Sequence, residues 1–290
     1  MKFLCLPGAY GSTKNFQVQL EPFVVEAEKG VAQFAWTQGK YNAAPPPGFE
    51  DYFGAGPLYR FFDYDGINAF DILEKIRAFP PGNSAEDTMR LLMGNDISHT
   101  IDSVQKSLQM LINIIDADPE IEGILGYSEG ATTAASLILE ERFRWEALGR
   151  PRRIKSAIFF AGWPPLSLSD GKVKILLADE SDAVIDIPTL HVVGCNDPYI
   201  LGAKALYNMC DEEWGELFDH GKGHTVPRDG RTVRELCDAV RRLTKRVEAW
   251  KDSEVKMVEI DLDGVDTLGE RGARGRTILT GVALPVDLSQ

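Results

Sequence analysis

The pentapeptide Gly126-Tyr127-Ser128-Glu129-Gly130 is the most chemically specific feature of the sequence. A short apolar run, Ile121 to Leu125, leads into it. A helix-like stretch, Ala131 to Leu148, leads out and is closed by Gly149 with Pro151 beyond. A serine between two glycines on such a strand-to-helix turn stands clear of the sheet, because the glycines remove side chains that would strike neighbouring backbone. The turn also aims the Glu129 N–H and the start of the helix at negative charge developing on a substrate oxygen. That is the chemistry of a nucleophile.

A serine hydroxyl attacks only when a base takes its proton. Four histidines are available. His99 reads as a surface or capping residue before a helix, and His191 as a sheet or core residue inside the strand Thr189 to Val193. His220 and His224 bracket Gly221-Lys222-Gly223. Their i, i+4 spacing would suit a metal only on a helix, which two glycines disfavour, and no Glu follows as in H-E-x-x-H. His224 is the candidate base and His220 a supporting or structural residue. Neither a metal nor an organic cofactor is implied.

The base needs a carboxylate to hold its tautomer. Asp197 follows the strand ending at Gly194 directly, in Cys195-Asn196-Asp197-Pro198, on the sheet edge that carries the elbow. Asp182, Asp186 and Asp219 compete but follow no strong strand so closely. A second oxyanion donor is expected from the loop after the first strand, Pro7-Gly8-Ala9-Tyr10-Gly11-Ser12, through the amide of Ala9 or Tyr10. This loop is not a phosphate cradle, since G-x-x-x-x-G-K-[ST] is absent, and no G-x-G-x-x-G opens a helix.

The elements that must position these groups alternate strand with helix, which predicts an α/β fold with a mainly parallel sheet. Strands are expected at Lys2 to Leu6, Val31 to Trp36, Ile121 to Leu125, Ile154 to Phe160 and Thr189 to Val193. Apolar residues at helical spacing run from Ile97 to Ile115, and again from Arg231 to Trp250. A Pro/Gly/aromatic stretch breaks the rhythm, with eight aromatics between residues 49 and 70 out of 27 in the chain. It reads as a cap insertion, about 41–96, over the ligand-binding end of the sheet. Tyr52, Phe53, Tyr59, Phe61 and Phe62, with Trp163, are the expected lining of a substrate pocket. Residues 1–250 form the main domain. The extension 251–290 alternates weakly and then becomes rich in Gly and Arg, as a hairpin or a partly disordered tail would.

The 290 residues carry a formal charge of −13, which disfavours nucleic acid or an anionic membrane as partner. No apolar run reaches transmembrane length, and the N-terminal apolar stretch ends too early, at Pro7-Gly8, for a secretory signal. Cys5, Cys195, Cys210 and Cys237 are scattered, which fits reduced thiols in a cytoplasmic protein.

The first-strand loop, the Ser128 elbow, Gly194-Cys195-Asn196-Asp197-Pro198 and His220-Gly221-Lys222-Gly223-His224-Thr225-Val226-Pro227, in that order, resemble the fungal serine hydrolase (FSH) family. The resemblance spans about residues 1–247. It implies an α/β-hydrolase fold with triad order Ser128, Asp197, His224, and esterase or thioesterase activity. Pro45 to Phe53 and Gly56 to Arg60 are similar to a branch associated with polyketide gene clusters. For that branch the resemblance implies release of a bulky apolar acyl chain from a synthase's carrier protein. Two features depart from the family: Pro7 stands where many relatives carry His, and the tail after Trp250 is longer than usual. A carboxylesterase of small substrates is the nearest alternative. A hydrolase-like scaffold that binds or cyclises a hydrophobic metabolite without hydrolysis is the other. The sequence leaves the oligomeric state open.

Overall fold

The computed structural model describes residues 1–45, 53–54, 56–64, 75–76, 78–94, 99–169 and 171–263. Strand β1 (Lys2–Leu6) leads to helix α1 (Thr13–Ala27), capped by the Ser12 hydroxyl accepting from the Asn15 amide. Pro22 lies inside α1 and removes the N–H that would have bonded the Val18 carbonyl. The Arg228 guanidinium donates to the carbonyls of Val18 and Gln19 instead, at 2.5 and 2.8 Å. Strand β2 (Gln33–Trp36) follows, and then a two-stranded antiparallel ribbon of β3 (Tyr41–Asn42) and β4 (Tyr59–Arg60). Tyr59 also bridges to Gly11, so the cap segment is tied to the loop after β1.

Helices α2 (Ala85–Met93) and α3 (Ile101–Ala117) come next; Thr100 caps α3. Ile97, where the helical spacing begins in the sequence, lies outside the described residues. Strand β5 (Ile121–Tyr127) runs two residues past the expected end, because Gly126 and Tyr127 stay paired with Phe159 and Phe160. It feeds α4 (Glu129–Leu148), which ends on Gly149 at φ +65°, the left-handed conformation glycine adopts freely. Strand β6 (Ser156–Phe160), the hairpin of β7 (Leu166–Ser169) and β8 (Lys172–Ile175), and β9 (Thr189–Val193) precede α5 (Ile200–Asn208). Strand β10 (Gly215–Asp219) and α6 (Gly230–Asp263) complete the described chain.

The central sheet has six parallel strands in the order β10-β9-β6-β5-β1-β2. Its β6 and β9 are buried along their whole length, as strands covered by helices on both faces must be. One core layer joins Leu4, Leu6, Ile124 and Phe159 to α3 and α4; the other joins Phe3, Cys5, Leu125 and Ile158 to α1 and α6. The strand order reverses between β1 and β5. In parallel sheets that switch point opens a crevice at the carboxyl ends of the strands, and the loop after β1 and the Ser128 elbow both emerge there.

Two expectations are corrected. The last helix does not stop near Trp250 but continues to Asp263, so residues 251–263 form neither a hairpin nor a loose tail. Residues 264–290 lie outside the described part. The second concerns His99. It is not a free surface residue: its ring packs on Tyr64 at 4.7 Å and Phe62 at 5.4 Å, and burial pulls its pKa down to about 4. His191 is core, as its strand position implies, and burial lowers its pKa to about 3. Among the described residues no helix is long and apolar enough to cross a membrane.

Candidate active site

Ser128 sits at φ +52°, ψ −119°, a region an L-residue enters only when its surroundings hold it there. Its amide donates to the Phe160 carbonyl at 2.9 Å, and its own carbonyl accepts from Ala131 at 2.9 Å and Thr132 at 3.2 Å. The hydroxyl makes no helix-capping bond. The flanking glycines are sterically required: a Cβ at Gly126 would lie 2.3 Å from the Gly130 carbonyl oxygen, and one at Gly130 would lie 2.3 Å from that of Leu6. The elbow is thus wedged between β6 and the end of β1.

The loop after β1 closes over it. The Gly11 amide donates to the Gly8 carbonyl at 3.0 Å, and Tyr10 takes φ +59° in the turn between them. Gly8 faces the nucleophile closely enough that a Cβ there would come 3.2 Å from that of Ser128. Among the described residues neither the Ala9 nor the Tyr10 amide has a protein partner, which leaves both available to an oxyanion.

The structure brings His224 and Asp197 together. Nδ1 of His224 donates to Asp197 Oδ2 at 2.8 Å, while Asp197 Oδ1 accepts from the Tyr199 amide at 2.8 Å. Asp197 is only 4% exposed, so both carboxylate oxygens are fixed. A carboxylate can only accept, so the His224 proton lies on Nδ1 and Nε2 keeps its lone pair. The His224 ring packs between Tyr127 and Tyr199, at 5.4 and 5.2 Å, and the Tyr127 hydroxyl donates to the His224 carbonyl at 3.2 Å. The residue before Ser128 therefore seats the histidine.

The competing aspartates have other work. Asp219 accepts from the amides of Cys195 and Gly221, and Asn196 bonds across to Gly221 and Lys222, which laces the Asp197 loop to the His224 loop. A Cβ at Gly194 would lie 1.9 Å from the Lys222 carbonyl, so only glycine permits this approach. His220, 8% exposed, packs into the same junction. Asp186 forms a two-pronged pair with Arg152 at 2.5 and 3.0 Å, and Asp182 is exposed. Among the described residues no group of three or more His, Cys, Asp or Glu is arranged to hold a metal.

The expected pocket divides. Phe61 and Phe62 are each 1% exposed and packed in the core, with the Phe61 carbonyl accepting from the Ser107 hydroxyl; they do not line an open cleft. Tyr52 lies outside the described residues. Phe53 packs on Tyr10 at 4.7 Å, and Tyr59 is half-buried beside Gly11. Trp163 belongs to a cluster that the sequence reading missed, with Phe79 at 5.8 Å and Tyr199 at 6.3 Å; Tyr199 in turn touches His224. The position of Tyr199, two residues after the candidate aspartate, was the available signal.

Glu129, expected at the site only through its backbone amide, also brings its side chain. Its Oε1 accepts from the Phe61 amide at 2.5 Å, and burial raises its pKa from 4.5 to about 7 against the opposing pull of the Phe61 and Phe62 amides and of Arg60. A carboxyl whose folded-state pKa exceeds its unfolded value makes the fold bind a proton between the two values. Its stability contribution is therefore greatest below about pH 4.5 and declines as pH rises through 7. Glu129→Gln should melt a few degrees above wild type at pH 8 and level with it at pH 5, measured by scanning calorimetry. Equal melting offsets at both pH values would show that the carboxyl is not buried.

Residues 1–236 match the model of the serine hydrolase (FSH1) family. The chain belongs to the FSH1 serine hydrolase family. The hydrolase phiM of Talaromyces stipitatus is 26% identical over 249 residues, covering 84% of this chain and 87% of that protein. The esterase FPY3 of Fusarium mangiferae is 34% identical over 154 residues, covering 51% and 68%. The esterase FUS5 of Gibberella moniliformis is 24% identical, covering 82% and 85%. A carboxylesterase from Mesorhizobium loti has a related structure, with TM-score 0.45 and 15% identity over 82% of this chain and 88% of that one. The six-stranded parallel sheet, its elbow and the family place this chain among the α/β-hydrolases, as a serine hydrolase.

Proposed function

We propose that the FSH1 chain cleaves a thioester or ester of a bulky apolar acyl group, and that its substrate is presented by a polyketide synthase carrier protein. The observation that carries the chemistry is the pair of partly exposed His224 with buried Asp197, the histidine held by Tyr127 next to Ser128. In this reading Ser128 Oγ attacks the carbonyl carbon as His224 Nε2 takes its proton. The amides of Glu129 and of Ala9 or Tyr10 receive the oxyanion. The acyl–sulfur or acyl–oxygen bond then breaks, and His224 returns the proton to the leaving thiol or alcohol. Water, deprotonated by His224, attacks the acyl-serine and frees the acid and Ser128. No metal or organic cofactor enters. The related proteins are named esterases, which favours an oxygen ester over a thioester, so the leaving group belongs to the test. A cytoplasmic location is part of the proposal, supported by four free cysteines.

Substrate size is read from the aromatic cluster. Tyr199 stands beside His224 with Phe79 and Trp163 packed on it, and an acyl chain on Ser128 would run along this cluster. Each methylene buried against them would contribute about 0.8 kcal/mol, close to fourfold in rate if expressed in the transition state. Across N-acetylcysteamine thioesters and p-nitrophenyl esters of increasing acyl size, kcat/KM should rise by orders of magnitude. A maximum at acetyl, falling with each carbon, would replace this reading by a small-ester esterase.

A further inference from the structure

Glu129 stands in the site twice. Its backbone amide follows the nucleophile, where the mechanism above needs an oxyanion donor, while its side chain accepts from the Phe61 amide at 2.5 Å. Phe61 directly follows β4, the cap strand whose Tyr59 bridges to Gly11 of the loop bearing the other oxyanion amides. One side chain therefore closes a ring of contacts through elbow, cap and oxyanion loop. We propose that Glu129 is a positioning residue that latches the cap segment at Phe61 onto the nucleophile elbow and so fixes the oxyanion amides. The oxyanion part rests on the serine-hydrolase mechanism above; the latch itself does not.

A merely structural plug would not need an acid here. Oε2 of Glu129 is buried with no hydrogen-bond partner among the described residues, an expensive arrangement for a carboxyl. The groups facing it are Arg60 of β4, Tyr10 of the oxyanion loop and Tyr64 of the cap. Burial pushes both phenols up, so they stay neutral, and Arg60, itself paired with Asp63 at 2.7 Å, is the cation that favours the ionised form. The ionised carboxylate is the stronger acceptor for the Phe61 amide. Protonation of this carboxyl, whose pKa burial raises to about 7, thus weakens the latch.

The test uses the full chain with Glu129→Gln, which keeps an acceptor but cannot ionise, and Glu129→Ala, which removes it. Hydrogen exchange followed by mass spectrometry on a peptide spanning 57–64 reads the latch without substrate. The Phe61 amide should exchange at least about tenfold faster in Glu129→Ala than in wild type, and at an intermediate rate in Glu129→Gln at pH 8. On a p-nitrophenyl ester, Glu129→Ala should lose about ten- to a hundredfold in kcat with KM within about threefold, and Glu129→Gln, a neutral and weaker acceptor, should recover only part of it at pH 8. The acid limb of log kcat should carry two protonations in wild type and one in Glu129→Gln. Unchanged Phe61 exchange in Glu129→Ala overturns the latch, and faster exchange with wild-type kcat overturns its link to the oxyanion. If Glu129→Ala does not fold, a pH profile of Glu129→Gln identical to wild type overturns the proposal by itself. Wild-type protein inert toward every ester, with Phe61 exchange behaving as stated, would sink the hydrolase mechanism and leave the latch standing.

Discussion

Ser128→Ala should lower kcat by at least about a thousandfold and leave the fold intact. The size follows from the roles assigned above: without Oγ no acyl-enzyme forms, and only oriented binding and the oxyanion amides remain to assist water. The fold survives because nothing that holds the elbow is the hydroxyl. The turn is fixed by the Phe160 carbonyl, by the carbonyl of Ser128 itself and by the glycines at 126 and 130, and the hydroxyl caps no helix. Alanine therefore inherits the same strained φ without new contacts, and the melting temperature should move by no more than about a degree or two. A fluorophosphonate probe should label Ser128 in wild type and nothing in the variant. Full turnover in Ser128→Ala would remove the acyl-enzyme and promote the reading of a scaffold that binds or cyclises without hydrolysis.

The elbow was legible because its constraints are local. Gly126, Ser128 and Gly130 are dictated by contacts within a few residues of the turn and with the end of β1. Strands β1, β5, β6 and β9 were legible for a related reason: doubly covered strands read as continuous apolar runs. Helix α1 was not, since Pro22 breaks its pattern and the compensating Arg228 lies two hundred residues away. The extension of α6 had a signal that went unused. No glycine or proline interrupts residues 231–263, whereas the alternation of Val255, Met257, Ile260 and Leu262 suggested strands. The aromatic-rich segment shows a different limit. Composition counts Phe61 and Phe62 as ring surface but cannot say that Ser107 and Glu129 draw their backbone into the core. The partners that decide this are remote in sequence, and so is the cluster of Phe79, Trp163 and Tyr199 that does stand by the histidine.

Asp197→Asn separates geometry from charge and should be as damaging as loss of the nucleophile. The carboxylate has two tasks, accepting from the Tyr199 amide and from His224 Nδ1, each at 2.8 Å. An asparagine can keep the first with its carbonyl oxygen, so the loop and the buried side chain stay in place. Its amide group must then face His224 Nδ1 and donate, which forces the imidazole proton onto Nε2. In that tautomer the nitrogen meant to take the Ser128 proton already carries one. The imidazolium formed on attack would also lose its buried counter-charge. A fall in kcat of roughly ten-thousandfold is the scale for this change, with little change in melting temperature. Asp219→Asn is the control. Asp219 holds the amides of Cys195 and Gly221 and the Cys195 thiol, which an asparagine carbonyl can also accept, so its kcat should stay within about tenfold of wild type. Measured side by side on one p-nitrophenyl ester, the two variants discriminate the assignment. If Asp197→Asn keeps a tenth of wild-type activity while Asp219→Asn abolishes it, the partner of His224 in solution is Asp219.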